Sequence, residues 1–238
     1  MSKFEALWQG GPVFAQAEHV KLSTDCVLLA DFINTNGARR GVDLGCASGA
    51  VALLLLAKDE RVHMTGLELV GEAAELAREN MAQNAYAERS RIITGDIRRH
   101  RELFTAGEFD LVAANPPYFP VNSGKLAPNS ARAKARGETD CTLEDICAAA
   151  AFLCRTGGSF YLVHKPERLS ELFCLMTKYG LEPKRLRLVC HKASSAPSLV
   201  LAEGRRGGKA GLKIEPPLIL ANDDGTETQE TKRIYHRL

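Results

Sequence analysis

The 238-residue chain is long enough for one or two domains and for a core that needs no disulfide or metal to stabilise it. Apolar residues make up 45% and charged residues 25%, with a net charge of +2, which excludes collagen-like, coiled-coil and disordered proteins. The apolar run from Val51 to Ala57 is far shorter than the roughly 20 residues of a membrane span. The first residues also lack the pattern of a secretory signal, so we expect a cytoplasmic protein without membrane partners.

Short apolar runs alternate with helical patterns through the middle of the chain. Strands are predicted at 41–45, 62–69, 90–96, 109–115 and 159–165, and helices at 48–58, 72–84, 143–154 and 168–179. Continuous apolar strands that alternate with helices are typical of a parallel sheet covered on both faces. The pattern therefore predicts an α/β, doubly wound fold.

The pattern changes after Gly180. Apolar runs at 186–190 and 198–204 have no helix between them, which predicts an antiparallel edge pair and a mostly parallel seven-stranded sheet in all. No linker or repeat divides the chain. We therefore expect a single domain spanning 1–238, with an N-terminal cap segment at 1–38, a core at 39–204 and a C-terminal addition at 205–238.

The seven cysteines are scattered and form no Cys-x-x-Cys or Cys/His cluster with zinc-ligand spacing, so no metal site is predicted. The basic residues are less evenly spread. Residues 184–213 carry eight Lys or Arg side chains and one acidic side chain. Such a block favours a polyanionic partner, although a solvated basic face without a partner has the same appearance.

Three predicted strand ends indicate a cofactor site. Asp43, Gly45 and Gly49 lie between the first strand and its helix, where glycines permit a tight turn and close approach of a ligand. Glu68 ends the second strand and can accept hydrogen bonds from a ribose diol. Asp96 ends the third strand and can accept from an adenine amino group or merely cap the next turn. A nicotinamide enzyme is the alternative, but its Gly-x-Gly-x-x-Gly fingerprint is absent.

The fourth strand ends in Asn115-Pro116-Pro117-Tyr118, which indicates the chemistry. An amino group conjugated to a ring or carbonyl is a poor nucleophile because its lone pair is delocalised. The side-chain carbonyl of Asn115 and the backbone carbonyl of Pro116 can accept its two N–H groups and favour tetrahedral nitrogen. Tyr118 offers a stacking face for a planar target, worth about 1–3 kcal/mol for a base.

These residues resemble those of class I S-adenosylmethionine-dependent methyltransferases of the Asn-Pro-Pro-Tyr type. The resemblance implies a Rossmann-like fold, with Asp43 and its loop facing the methionine part of the donor, Glu68 the ribose and Asp96 the adenine. Ala47 departs from the family's Gly-x-Gly-x-Gly by replacing the middle glycine. The cofactor-binding residues expected are Thr24, Asp25, Asp43, Gly45, Gly49, Glu68, Asp96 and Ile97.

Further stretches are similar to the bacterial valine-tRNA adenine N6-methyltransferases. They include His19 to Ala30, Asn115 to Phe119, Ala135 to Glu138, Val163 to Leu169, Leu181 to Leu186 and Pro216-Pro217-Leu218. The resemblance implies methylation of an adenine N6 in tRNA, at position 37 of a valine tRNA, with Asn115, Pro116 and Tyr118 as catalytic residues. A protein glutamine N5-methyltransferase and an rRNA guanine N2-methyltransferase are the alternatives.

A long polar connection at 119–139 follows the fourth strand, and loops above about 15 residues are usually functional or disordered. We expect its basic side chains and those of the basic block to form one rim on the same side as Tyr118. The residues expected to contact the RNA are Lys125, Arg132, Lys134, Arg136, Arg205, Arg206 and Lys209.

Overall fold

A computed structural model describes residues 3–16, 22–116 and 141–238 of the protein. Its strands are β1 (Phe4–Ala6), β2 (Val13–Ala15), β3 (Arg40–Leu44), β4 (His63–Glu68), β5 (Ser90–Thr94), β6 (Phe109–Ala114), β7 (Cys154–His164), β8 (Leu181–Cys190), β9 (Pro197–Arg206), β10 (Lys213–Ile214) and β11 (Leu218–Ile219). Its helices are α1 (Thr24–Phe32), α2 (Ala50–Lys58), α3 (Gly71–Gln83), α4 (His100–Leu103), α5 (Leu143–Leu153), α6 (Leu169–Lys178) and α7 (Gln229–Ile234).

The large sheet has the strand order β10-β8-β9-β7-β6-β3-β4-β5. The five strands from β3 to β7 pair in parallel, whereas β9 runs antiparallel to both β7 and β8. The predicted α/β fold, with a mostly parallel sheet and an antiparallel pair, is confirmed. The structure adds β10 and β11, which pair with β8 outside the seven predicted strands.

Apolar side chains pack on both faces of this sheet. Along β7, Tyr161 and Val163 join one buried cluster, while Phe160 and Leu162 join the other. Successive side chains of a strand point to opposite faces. The sequence of a strand that is buried on both faces is therefore a continuous apolar run. Such runs mark the central strands, which is why the sequence predicts them.

Two strands begin earlier than predicted. β7 begins at Cys154, and β8 begins at Leu181. Both extensions contain exposed or half-buried side chains because the additional residues lie toward the edge of the core. Their strand conformation is set by pairing in the sheet, and an apolar run does not mark it.

The strand order places three chain segments at one point of the sheet. β3 lies between β4 and β6. The chain therefore builds the sheet on one side of β3 with β4 and β5, and on the other side with β6 and β7. Ligands of open α/β sheets bind at this switch point, outside the carboxyl ends of the strands. Asp43, Glu68 and Asn115 all lie at these ends. None of the helices in the described parts of the chain combines the length and apolar character that a membrane crossing needs.

Candidate active site

Asp43 lies in β3 and is only 2% exposed. Its Oδ2 atom has no hydrogen-bond partner among the described residues. Burial, together with the nearby charge of Glu68, raises the pKa of Asp43 to about 7. A buried carboxylate oxygen without a donor is costly, so Asp43 is suited to a hydrogen-bond donor that a bound molecule would bring.

Glu68 ends β4 and is held by two backbone amides. Its Oε2 accepts the Ala47 N–H at 2.8 Å, and its Oε1 accepts the Val70 N–H at 2.8 Å. A carboxylate oxygen has two lone pairs, so each oxygen keeps one acceptor position. The carboxylate is thus fixed in place and still able to accept a pair of neighbouring hydroxyl groups.

The turn after β3 is hydrogen-bonded to β4. The amides of Gly45 and Cys46 donate to the Leu67 carbonyl at 2.8 and 3.1 Å. Gly45 has a φ of +73°, and among the described residues the atom within 4 Å of a Cβ there is the Ile97 Cδ1, at 3.9 Å. The structure therefore brings Gly45 and Ile97 together, and no atom of the described residues lies closer than Ile97 on the side of the missing Cβ.

Asn115 directly follows β6, and its side chain contacts helix α1. The Nδ2 atom donates to the Cys26 Sγ at 3.2 Å. Burial is the main cause that raises the pKa of the Cys26 thiol, and the charges of Asp43 and Asp25 add to it. The first turn of α1, which contains Thr24 and Asp25, therefore lies at the same sheet edge as Asp43 and Asn115. Pro116 is the last described residue of the motif, and Tyr118 lies outside the described residues.

The chain matches the methyltransferase small domain family over residues 7–173. It belongs to that family. A protein of Tolumonas auensis named tRNA1(Val) (adenine(37)-N6)-methyltransferase is 35% identical over 76% of this chain and 75% of its own. A protein of the same name from Aeromonas hydrophila is 31% identical over 87% of this chain and 85% of its own. The resemblance to the bacterial valine-tRNA adenine N6-methyltransferase family is therefore confirmed.

Solved structures show the same fold. A predicted O-methyltransferase from Agrobacterium tumefaciens superposes with a TM-score of 0.73 at 21% identity, over 90% of this chain and 96% of its own. A geranyl diphosphate methyltransferase in complex with SAM superposes with a TM-score of 0.53 at 15% identity, over 76% of this chain and 84% of its own. The class I methyltransferase fold is thus confirmed.

Glycine is required at position 49 by the packing of helix α3, whereas the methyltransferase motif indicated close approach of a ligand. Its φ is +85°, and a Cβ would lie 2.8 Å from the Met81 Cε and 3.2 Å from the Ala77 Cβ. The space at Gly49 is thus filled by helix α3. In this methyltransferase Gly49 permits close helix packing, and the expectation that its missing side chain admits a ligand is not supported.

The side chain of Asp96 caps the turn that follows it. Its Oδ1 accepts the Arg98 N–H at 2.9 Å, and both carboxylate oxygens contact the Arg98 guanidinium. The hydrogen bonds and charge of Arg98 lower the pKa of Asp96 despite its partial burial. The structure therefore shows the capping role, one of the two roles that the sequence left open, and adds a guanidinium that competes with any ligand for these oxygens.

Three residues of the C-terminal block that were expected to contact RNA, Arg205, Arg206 and Lys209, do not lie beside Asn115. Strand β9 is antiparallel, with Val200 opposite His164 and Arg205 opposite Ser159. Five residues of β7 separate these levels, about 16 Å of strand. Arg205 and Arg206 therefore lie at the opposite sheet edge. Lys209 lies there too, because its carbonyl accepts the Nζ of Lys184 on β8.

The expectation of one rim that includes Arg205, Arg206 and Lys209 is therefore wrong. A charge count gives no strand direction, and antiparallel β9 carries its C-terminal end away from the site. Internal ion pairs also reduce the free charge of the block, since Arg185 pairs with Glu203 and Arg187 with Glu230. The other residues expected to contact RNA lie outside the described residues: Lys125, Arg132, Lys134 and Arg136.

Different basic residues lie at the Asn115 edge. Lys165 follows β7, and its Nζ donates to the Ser198 carbonyl at 3.3 Å. Lys192 lies in the turn between β8 and β9, and its Nζ donates to the Asp223 carbonyl at 2.8 Å. These two lysines bring positive charge to the edge where Asn115 lies. The charge count included Lys192 in the block at 184–213 but did not include Lys165, which lies outside that block in the sequence.

Asn80 links the N-terminal hairpin to the turn after β3. Its Oδ1 accepts the Ala15 N–H at 2.7 Å, and its Nδ2 donates to the carbonyls of Ala15 and Ser48 at 3.1 and 2.9 Å. The side chain is fully buried. The sequence gives no signal for this role, because Asn80 is one of several polar residues of helix α3 and the others resemble it as surface positions.

Ala47 has a φ of +49°, in the left-handed region that favours glycine. This conformation costs a residue with a Cβ about 1–2 kcal/mol, whereas glycine loses more chain entropy on folding. We expect Ala47→Gly to raise the free energy of unfolding by up to about 1 kcal/mol. The measurement is urea unfolding.

Ala57→Gly is the matched control because Ala57 lies exposed in helix α2. There the substitution relieves no strain and should lower the free energy of unfolding by about 0.5–1 kcal/mol. Equal losses for the two variants would mean that Ala47 is not strained.

Proposed function

We propose that the protein transfers a methyl group from S-adenosylmethionine to the exocyclic N6 of an adenine in tRNA. The observation that carries the proposal is the Asn115 amide at the end of β6, at the same sheet edge as Asp43 and Glu68. The names of the relatives support adenine 37 of a valine tRNA as the acceptor.

The residues at the strand ends fit the methyl donor. The buried Oδ2 of Asp43 lacks a protein donor among the described residues and suits an amino group of the methionine part. Glu68 keeps one lone pair on each oxygen for the two ribose hydroxyl groups. S-adenosylmethionine, when bound, supplies an electrophilic methyl group on a sulfonium.

Neighbouring residues complete the proposed donor pocket. Gly45 and Ile97 form one side of it, and Thr24 and Asp25 form another at the start of α1. Asp96 would serve the adenine only by sharing its oxygens with the Arg98 guanidinium. We therefore assign the largest part of donor affinity to Glu68 and Asp43.

Asn115 and Pro116 act on the acceptor nitrogen. The Oδ1 of Asn115 and the carbonyl of Pro116 accept its two N–H groups, which directs the nitrogen lone pair toward the methyl carbon. The N–C bond forms as the S–C bond breaks, and the electron pair of the S–C bond remains on sulfur. The methylated nitrogen then loses a proton to water. Tyr118, outside the described residues, is proposed as the stacking face for the flipped adenine.

The decisive experiment offers two acceptors to the purified protein with radiolabelled donor: total RNA and a protein with accessible glutamine carboxamides. We expect label in tRNA and, after digestion, in N6-methyladenosine. Label in the protein would instead establish a glutamine N5-methyltransferase, and label in N2-methylguanosine would establish a guanine enzyme.

The basic residues at the Asn115 edge predict where the RNA lies. Each lost phosphate contact weakens binding and reduces the salt slope by about one. We expect Lys192→Glu to weaken tRNA binding by about three- to tenfold, with a shallower dependence on salt. The measurement is a filter-binding titration at several salt concentrations.

Arg205→Glu is the control, with the same type of charge reversal at the opposite edge. It should change tRNA affinity by less than about twofold, because Arg205 lies outside the expected phosphate path. An equal loss in both variants would mean that the RNA extends around the protein to that edge.

A further inference from the structure

The proposed chemistry requires one orientation of the Asn115 amide. The two ends of an asparagine side chain have nearly the same shape, but only Oδ1 accepts hydrogen bonds, whereas Nδ2 donates them. A rotation of 180° would point two N–H groups at the acceptor amino group, which itself donates. A contact that recognises Nδ2 would therefore determine whether the site is competent.

Such a contact comes from helix α1. The Cys26 Sγ accepts a hydrogen bond from the Asn115 Nδ2 at 3.2 Å, although these residues are 89 positions apart in the chain. Sulfur is a weak acceptor, but Cys26 is largely buried and its pKa is raised, so it stays a neutral thiol. Exchange of this bond for a bond to water is correspondingly restricted.

The sulfur is itself held by the N-terminus of the helix. Ser23 is the N-cap of α1, and its Oγ accepts the Cys26 N–H at 3.3 Å. The same hydroxyl group donates to the Cys26 Sγ at 3.4 Å. The hydroxyl of Ser23 and the amide of Asn115 thus both donate to one sulfur atom, whose position is fixed by the helix cap.

We propose that Cys26 is a positioning residue, whose sulfur accepts the Nδ2 hydrogen bond and keeps the Oδ1 of Asn115 turned toward the acceptor nitrogen. The proposal rests on the proposed function, because it assumes an amino acceptor between Asn115 and Pro116. It does not depend on whether that amino group belongs to adenine, guanine or glutamine.

The test compares replacements of Cys26 that keep or remove an acceptor. Cys26→Val fills a similar space without an acceptor, and Cys26→Ala removes both the acceptor and the side-chain volume. Both variants should lower kcat by about tenfold, the effect of losing one hydrogen bond of about 1.4 kcal/mol. Donor affinity and KM for RNA should change by less than about twofold. Cys26→Ser keeps an acceptor and should recover most of kcat.

Cys147→Ala is the control for lost packing, since Cys147 is buried in α5 in the other cluster. It should lower the melting temperature without changing kcat. A wild-type kcat in folded Cys26→Val, a change in KM alone, or a kcat for Cys26→Ser as low as for Cys26→Val would overturn the proposal. Failure of the proposed function differs from these results, because the wild-type protein itself would then not methylate RNA adenine.

Discussion

Replacing Asn115 by alanine should reduce the rate of methyl transfer by about 100- to 1,000-fold. This is the usual effect of removing one preorganised hydrogen-bonding group that acts on the reacting atom. The carbonyl of Pro116 remains, but a single acceptor leaves one N–H of the acceptor nitrogen without a partner. Donor affinity should stay within about twofold, because the loss falls on the chemical step.

Single-turnover transfer to tRNA and calorimetric titration with the donor measure the two quantities separately. Asn36→Ala is the control, an asparagine in an exposed turn just before β3, on the side of the sheet opposite to the carboxyl ends of the parallel strands. It should leave both quantities unchanged. If Asn115→Ala retains more than about a tenth of wild-type activity, the acceptor-pair mechanism is incorrect for this protein.

Replacing Asp43 by asparagine should stabilise the ligand-free protein above neutral pH and weaken donor binding. The folded-state pKa of Asp43 is raised to about 7 from an ordinary value of 3.8. Its stabilising contribution is therefore fully present below about pH 4 and is lost as the pH rises through about 7. The charged form is buried beside Glu68, which costs on the order of 1–3 kcal/mol.

Urea unfolding of the wild-type and Asp43→Asn proteins at about pH 4 and pH 8 measures this effect. The variant should be more stable at the higher pH by about 1–3 kcal/mol, and the difference should largely vanish at the lower pH. Its donor affinity should fall by about 10- to 100-fold, because a hydrogen bond to a charged group is lost.

Asp223→Asn is the control, since Asp223 is exposed. It should follow the wild-type pH profile. Parallel stability profiles for the wild-type protein and Asp43→Asn would show that Asp43 does not titrate near neutral pH.

The sequence predicts those parts of this protein that are determined by burial on both sheet faces. The strand predicted at 41–45 is found at Arg40–Leu44, and that predicted at 109–115 is found at Phe109–Ala114. Because apolar runs end where strands reach the ligand edge, the pattern of the chain is sufficient to place Glu68 and Asn115 at one edge of the sheet.

Other parts depend on tertiary contacts that no local pattern contains. The location of Arg205 depends on the direction of β9, and the need for glycine at position 49 depends on Met81 in helix α3. The contact between Cys26 and Asn115 joins two segments through the fold. Cysteine spacing gave no reason to consider Cys26, because a thiol that contacts an amide carries no sequence signature.

The N-terminal hairpin is held to helix α3 by the hydrogen bonds of Asn80, so it can open separately from the large sheet. Within the described parts of the chain, β1 and β2 pair with each other and not with the large sheet, and they are bonded to helix α3 through Asn80 and the neighbouring Asn84. Local opening of the hairpin would leave the large sheet intact but would break the two hydrogen bonds between Asn80 and Ala15, so the Asn80 bond to Ser48 in the turn after β3 would lose this support. A ligand that orders this turn should therefore suppress opening of the hairpin, although it need not touch the hairpin at all.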